Sequence, residues 1–549
     1  MSDRSPALSE DITYGELASL LRGLVARSLH CDVHSIDGAR PVHTLGIDSL
    51  DSADIARTLS AAAGAHVPLT TFLGELSLDQ IAETLRQKSY PAEQADASPS
   101  VSAASGELSY GQLALWAIHQ NAPESSAYNL TYGLKTDVRI QPEPMVRALE
   151  RLMARHDVLR TSFPTELGKP LAVIKGAASP DFQFSEISDP DKLTRAIRCE
   201  AAAPFNLATG PLVRFRLYES YGESSVLLIV IHHIVSDFWS ITLLLRDLFD
   251  LYSSEMHNIP SQLPLIETQY EDFVTLRARH ISGQSGETDW NHWSRALAGQ
   301  LMPLDLVTDR ARPKQPSYHG EVYCFSVGPE TTKSLRALSR EMGSTLFVTV
   351  LSGFFALLHR YTGQDDIIVG VPTSGRDKRE WLNTIGYFVN PVALRARFEE
   401  EISARKLVGQ TRTTVLRAMN HQNYPFPLLV DRLRPRRDPS RSPIFQSMFV
   451  WQTQTSGVPE VPAALALGID GVQFTLNGVS LETISTGGES AQCDLTMSVA
   501  ELGDELSVAL KYSTDLFDRG TAVRMSGHFV TLLGEMSRNM DVPISALTL

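Results

Sequence analysis

Cysteine is scarce in this chain. Four occur in 549 residues, Cys31, Cys199, Cys324 and Cys493, and no two stand at Cys-x-x-Cys spacing. The set reads as reduced thiols in a cytosolic protein. Basic charge is also short: 49 Lys and Arg stand against 63 Asp and Glu, a formal net charge of −14. No basic stripe runs along the chain, which argues against a nucleic-acid partner. The Arg434, Arg436 and Arg437 cluster reads as solvated or ion-paired surface. Long hydrophobic runs are missing too. The most apolar segment, Leu346 to Leu358, is broken by Thr349, Ser352 and Gly353, so it predicts a buried helix and no membrane span. Met1 to Glu10 is polar and carries no signal peptide, and the expected location is the cytoplasm. What is present is ordinary: 43% hydrophobic and 20% charged residues. The length suffices for three or four structural units.

The chain is organised around residues 226 to 238. Six apolar residues, Val226 to Ile231, run into His232 and His233, and Asp237 follows. An unbroken, mostly β-branched run predicts a strand covered on both faces. Side chains alternate along a strand, so one imidazole faces a site and the other packs into the wall behind it. An imidazole at a strand end changes protonation near neutral pH from a fixed position. Two satisfied structural histidines are the plainer reading of the same pair. A metal site is not expected, because adjacent positions diverge and no Cys or third His lies nearby at ligand spacing.

Ahead of this stretch, residues 10–88 read as a small helical bundle. Leu17, Leu20, Leu21, Leu24 and Val25 share one helical face. Leu50 opens a second pattern through Ile55 and Leu59, and a last helix starts at Ser77 with Gln80 as capping-box partner. Between them, Asp48 and Ser49 are suited to cap a helix. Residues 89–106 are rich in Ser, Ala and Pro without an apolar period, and read as a linker. Further on, strands such as Val226–Ile231 and Asp366–Val371 alternate with helical stretches such as Met145–Arg155, which supports a mixed α/β class.

Two resemblances follow from these motifs. Leu45-Gly46-Ile47-Asp48-Ser49-Leu50 is similar to the attachment motif of peptidyl carrier proteins. The resemblance implies a four-helix carrier in which Ser49 bears a covalent 4'-phosphopantetheine. A phosphate at a helix N-terminus meets free N–H groups and the positive end of the dipole. His232-His233-x-x-x-Asp237 resembles the core motif of nonribosomal peptide synthetase condensation domains, relatives of chloramphenicol acetyltransferase. Six further stretches carry the same resemblance, in family order. They are Leu108–Gln112 with Leu115-Trp116, Arg155–Phe163, Tyr270–Phe273, Ile385–Pro391, His421–Phe426 and Arg437–Pro443. Two departures stand out: Phe238 replaces the usual Gly, and Asn423 replaces the common Asp. The fold implied is two chloramphenicol-acetyltransferase-like lobes in a V, residues 107–276 and 277–549.

The resemblance also implies roles. His233 would accept a proton from, or hydrogen-bond, an amine attacking a thioester, while His232 is structural. Asp237 would form a buried ion pair with Arg376 and belong to site architecture. Arg160, Tyr387, Phe388 and Asn390 read as scaffold or channel lining, with a salt bridge or cap expected for Arg160. Phe238 either packs beside Trp239 as core or narrows a substrate channel. The expected function is amide-bond formation between a donor on this carrier and an aminoacyl group on a downstream carrier. Epimerisation, ester formation and a non-catalytic docking platform are the alternatives. The partners implied are a phosphopantetheinyl transferase, an upstream adenylation domain, and a downstream aminoacyl carrier with its adenylation domain. The ending at Pro543–Leu547 resembles a condensation domain ahead of a next domain, so the chain is expected to be either an excised didomain or a naturally short subunit.

Overall fold

The computed structural model describes residues 14–28, 32–40, 42, 45, 55, 59, 76–87, 106–176, 179–219, 224–436, 438–452, 463–487 and 490–549. In the N-terminal part, the helix Tyr14–Ser28 buries Leu17, Leu21, Leu24 and Val25 against Leu78 and Ile81 of the helix Leu78–Gln87. Ile55 and Leu59 are helical and lie in the same core, as their spacing predicts. The Ser77 capping box forms. The Ser77 N–H donates to Gln80 Oε1 at 2.9 Å, and the Gln80 N–H donates to Ser77 Oγ at 3.2 Å. Arg22 and Asp79 add a cross-helix ion pair at 2.8 Å. Asp48, Ser49 and Leu50 lie outside the described residues, as do Cys31 and residues 88–105.

From Gly106 onward the chain builds two six-stranded sheets with helices against them. The first sheet runs Gln473–Leu476, Val479–Ile484, Asn129–Thr136, Ser225–His232, Val213–Glu219, Asp181–Glu186. All its neighbours are antiparallel except the last pair. Ser225–His232 is buried at every position, because strands flank it and the packed helices Pro142–Arg155 and Phe238–His257 belong to the same core. That burial accounts for the lack of alternation in its sequence. Two strands at one edge of this sheet come from far down the chain: Val479–Ile484 pairs with Asn129–Thr136, Gly133 opposite Ile484. Residues beyond 276 therefore help to complete the first sheet.

The second sheet runs Asn390–Arg397, Asp366–Thr373, Ser447–Gln452, Leu495–Leu502, Glu505–Ser513, Gly320–Val327. Its core includes Phe354 and Leu358 of the helix Leu346–Thr362. That helix is the most apolar segment of the sequence and is interior, as expected. No single helix among the described residues is long and apolar enough to cross a membrane. Cys199, Cys324 and Cys493 are all free thiols.

Candidate active site

The strand ends at His232, and His233 opens a short 3-10 turn, His233–Val235. The alternation expected of two strand residues therefore stops one residue early, and His233 belongs to the turn that follows. The cause is local. His232 Nδ1 accepts the Ile234 N–H at 3.1 Å and caps the turn. His233 is anchored by its own N–H, which donates to the Tyr128 carbonyl at 2.8 Å.

The two rings use the same nitrogen in opposite ways. His232 Nδ1 is an acceptor. His233 Nδ1 stands 2.6 Å from the Ser236 carbonyl, which can only accept, so this nitrogen carries the proton. In the neutral ring the lone pair then belongs to Nε2. Burial lowers the His233 pKa, with the Ser236 carbonyl and Asp237 opposing. His233 is therefore neutral at neutral pH, with Nε2 able to accept. His232 is held at about 3 by burial, with His119 and His233 adding to the effect. It sits edge-on to His119 and Phe205 and is 4% exposed, whereas His233 is only partly buried.

Asp237 caps the helix Phe238–His257: its Oδ1 accepts the Ser240 N–H at 2.7 Å. The same carboxylate meets Arg376, Nη2 to Oδ1 at 3.1 Å, and its Oδ2 accepts the Phe388 N–H at 3.1 Å. Arg376 donates further to the carbonyls of Trp381 at 2.6 Å and Thr384 at 2.7 Å, and to Ser240 Oγ at 2.9 Å. Its guanidinium carbon lies 3.8 Å from the centre of the Phe388 ring. Burial lowers the Arg376 pKa, and Asp237 opposes the change. Both residues are almost fully buried, so each charge depends on the other and on these hydrogen bonds. Gly375, just before Arg376, has φ +67°, and a Cβ there would lie 2.0 Å from the Phe388 carbonyl oxygen. Only glycine fits that bend.

Other motif residues converge on the same turn. Ser109 and Gln112 form a capping box, and Gln112 Nε2 donates to the Ile234 carbonyl at 3.1 Å, seating the helix Tyr110–Asn121 on the histidine turn. The Tyr270 hydroxyl donates to the Tyr387 carbonyl at 2.6 Å. Asn390 bonds the carbonyls of Gln422 and Tyr424, both at 2.8 Å, and accepts the Phe426 N–H at 2.9 Å, joining two of the predicted motifs. Arg155 and His156 both hold the buried Asp247, each at 2.9 Å. Arg160 pairs with Asp157 and bonds the Lys175 and Gly176 carbonyls. Its segment, Asp157–Arg160, is a 3-10 turn. Phe238 is the first helical residue and packs, partly buried, against the first core. Its N–H is among the four that a helix start leaves without an intrahelical partner.

Three contributors carry no signal that singles them out in the sequence. Ser236 supplies only a carbonyl, which no side-chain pattern marks. Ser240 bridges the helix start to Gly386, accepting its N–H at 3.0 Å and donating to its carbonyl at 2.8 Å. Asp-x-x-Ser is a common helix start, so the pattern gives no hint of the second partner. Gln112 belongs to one of the motifs, but its reach to residue 234 has no local signature. Among the described residues, no group of three or more His, Cys, Asp or Glu could hold a metal ion.

Comparisons with known proteins bear on the family and the fold. The family model described as "Condensation domain" matches residues 105–549, and that described as "Phosphopantetheine attachment site" matches residues 19–85. A linear gramicidin synthase polypeptide of Brevibacillus parabrevis is 33% identical over 514 residues, covering 92% of this chain and 6% of that protein. Malpinin synthetase of Mortierella alpina is 30% identical over 500 residues, covering 88% of this chain and 6% of that protein. The chain thus spans a small fraction of the length of these relatives. Among solved structures, a holo four-domain nonribosomal peptide synthetase bound to AMP and glycine matches with a TM-score of 0.73 at 27% identity, over 80% of this chain and 34% of that one. The X-domain from teicoplanin biosynthesis matches with a TM-score of 0.73 at 22% identity, over 80% of this chain and 97% of that one, a likeness of fold alone.

Proposed function

The chain belongs to the condensation-domain family, with a phosphopantetheine-attachment domain ahead of it, and from that premise we propose that it forms an amide between a donor acyl group carried at Ser49 and an aminoacyl group on a downstream carrier. Amide-bond formation in nonribosomal peptide synthesis is the family's chemistry. The divisions that go with this reading are a carrier at 10–88, a linker at 89–106, and two lobes at 107–276 and 277–549, with the strands of 473–484 crossing over to the first sheet.

Ser49 would hold the phosphopantetheine through its hydroxyl. The observation in favour is the packed core just downstream, where Ile55 and Leu59 share buried contacts with Leu21 and Ile81, as a folded carrier requires. When bound, the group supplies a thiol on which the acyl donor is carried. The remaining work falls to this chain's own residues. Holding two tethered reactants in register removes much of the barrier. His233 Nε2 accepts a hydrogen bond from the attacking amine and takes its proton as the C–N bond forms and the C–S bond breaks. A weakened base suffices, because an amine becomes strongly acidic once it bonds to carbonyl carbon. His232, neutral and buried, holds the turn. Asp237 and Arg376 hold the helix start against the loop 376–388, and the Phe238 N–H is a candidate donor to the carbonyl oxygen as it gains charge.

The single observation that carries this reading is the His233 Nδ1 to Ser236 carbonyl bond, which commits the ring to the tautomer with a free Nε2. The partners follow from the chemistry: a phosphopantetheinyl transferase to load Ser49, an adenylation domain upstream, and a carrier with its own adenylation domain downstream. A cytoplasmic location accords with free thiols and with the supply of such partners. The test is intact-protein mass spectrometry. Ser49 is loaded with an aminoacyl-pantetheine and an aminoacyl carrier is added. Mass should move to the acceptor with the wild type, and Ser49→Ala, which cannot be loaded, should leave the acceptor unchanged. Transfer undiminished in His233→Ala would overturn the reading.

A further inference from the structure

We propose that Tyr387 is a positioning residue for His233, fixing the plane of the imidazole from across the junction of the two lobes. The inference deepens the proposed function and rests on the reading of His233 as the proton acceptor.

The rings of Tyr387 and His233 meet edge to face, 4.9 Å between centres and 80° between planes. Such a contact is directional as well as attractive. The Ser236 carbonyl holds the imidazole at Nδ1 alone. With the covalent Cβ–Cγ tether, that one hydrogen bond sets the rotation of the ring about Cβ–Cγ. The edge-to-face contact with Tyr387 adds a second restraint on that rotation.

The phenol is itself held on several sides. A Cβ at Gly111 would lie 2.6 Å from Tyr387 Cε1, so the ring rests directly on the glycine backbone and cannot retreat. The Tyr387 carbonyl accepts the Tyr270 hydroxyl at 2.6 Å. Its two chain neighbours are both bonded to the helix that follows the histidine turn. Gly386 N–H donates to Ser240 Oγ at 3.0 Å, and Phe388 N–H donates to Asp237 Oδ2 at 3.1 Å. The loop carrying Tyr387 is thereby registered to the segment carrying His233. A lobe movement that broke this register would release the imidazole as well. The titratable groups facing His233 are His232 behind it, Asp237 with its partner Arg376, and Tyr387 across the gap. Tyr387 contributes cover without charge, and burial raises its own pKa so that the hydroxyl stays protonated.

Two readouts on the full chain test the proposal. The first is NMR titration of imidazoles labelled at Cε1, with His233 assigned among the 15 histidines by loss of its signal in His233→Ala. The second is transfer measured by mass spectrometry, as above. In Tyr387→Phe the His233 midpoint and the transfer rate should stay within about two-fold of wild type, because the ring is kept. In Tyr387→Ala water reaches the imidazole, its midpoint should rise toward the ordinary histidine value, and kcat should fall at least about ten-fold with the acceptor KM unchanged. Gly111→Ala, whose Cβ would crowd the ring from beneath without removing it, should also move the midpoint. An unmoved His233 midpoint in both Tyr387→Ala and Gly111→Ala would overturn the proposal. If His233→Ala transfers as well as wild type, the parent reading fails, and the midpoint alone then decides the positional claim.

Discussion

Arg376 lies 139 residues beyond Asp237 in the chain, yet its Nη2 stands 3.1 Å from Oδ1 and 3.4 Å from Oδ2 of that carboxylate. The pair closes a junction between the start of the helix Phe238–His257 and the loop that leads to Asn390–Arg397. Asp237 stands four residues after His233, so the pair braces the segment that follows the histidine turn.

Removing one member of this pair strands the other in the interior. Asp237→Ala is expected to cost about 3–5 kcal/mol, since Arg376 then keeps a buried charge without its counterion. Arg376→Ala should cost a similar amount. The double variant should lose clearly less than the sum of the two. Urea unfolding of the four proteins checks this, and additive losses would show that the two residues do not act as a pair.

His232 gives a pH signature. Its folded value is about 3, against an ordinary 6.5. Between those values the unfolded chain binds a proton that the folded chain refuses. Stability is therefore highest above pH 6.5 and declines as the pH falls toward 3, by up to ~1.4 kcal/mol per pH unit from this residue. His232→Asn keeps an acceptor for the Ile234 N–H but cannot titrate. Its unfolding free energy should fall less steeply across that window than the wild type's. Parallel curves from denaturant melts at stepped pH would contradict the assignment.

Asn390 makes three hydrogen bonds to the segment 422–426. Asn390→Ala should destabilise the protein by about 1–3 kcal/mol and leave the amides of that segment less protected. Hydrogen exchange across residues 421–426 is the direct measurement, and unchanged protection would show that the loop is held by other contacts.

Much of this architecture is legible in the residues, and the pattern of successes is physical. Val226–Ile231 reads as a strand because six apolar residues in a row offer no face to water. Ser77 and Gln80 read as a capping box because that contact depends on spacing alone. The Asp237–Arg376 pair is reached through resemblance, since nothing local links residues so far apart. Three features have no local signal. The hairpin within 473–484 looks like any polar-edged hairpin, and its choice of the first sheet is made by long-range packing. His233 leaves the strand because His232 caps the turn with its own ring, which the two letters His-His do not announce. Tyr387 reads as lining until the backbone brings Gly111 beneath it and His233 against it.

The most direct test of the central claim is a single-turnover transfer rate with Ser49 loaded and an aminoacyl carrier as acceptor, read by mass spectrometry for wild type and His233→Ala from mildly acidic to mildly alkaline pH. In the proposed mechanism the imidazole works in its neutral form, and burial lowers its pKa. Wild-type transfer should therefore hold its rate at pH values below those where an ordinary histidine protonates, while His233→Ala should be slower by about 10²–10⁴-fold at every pH. Equal rates for the two proteins would contradict the account.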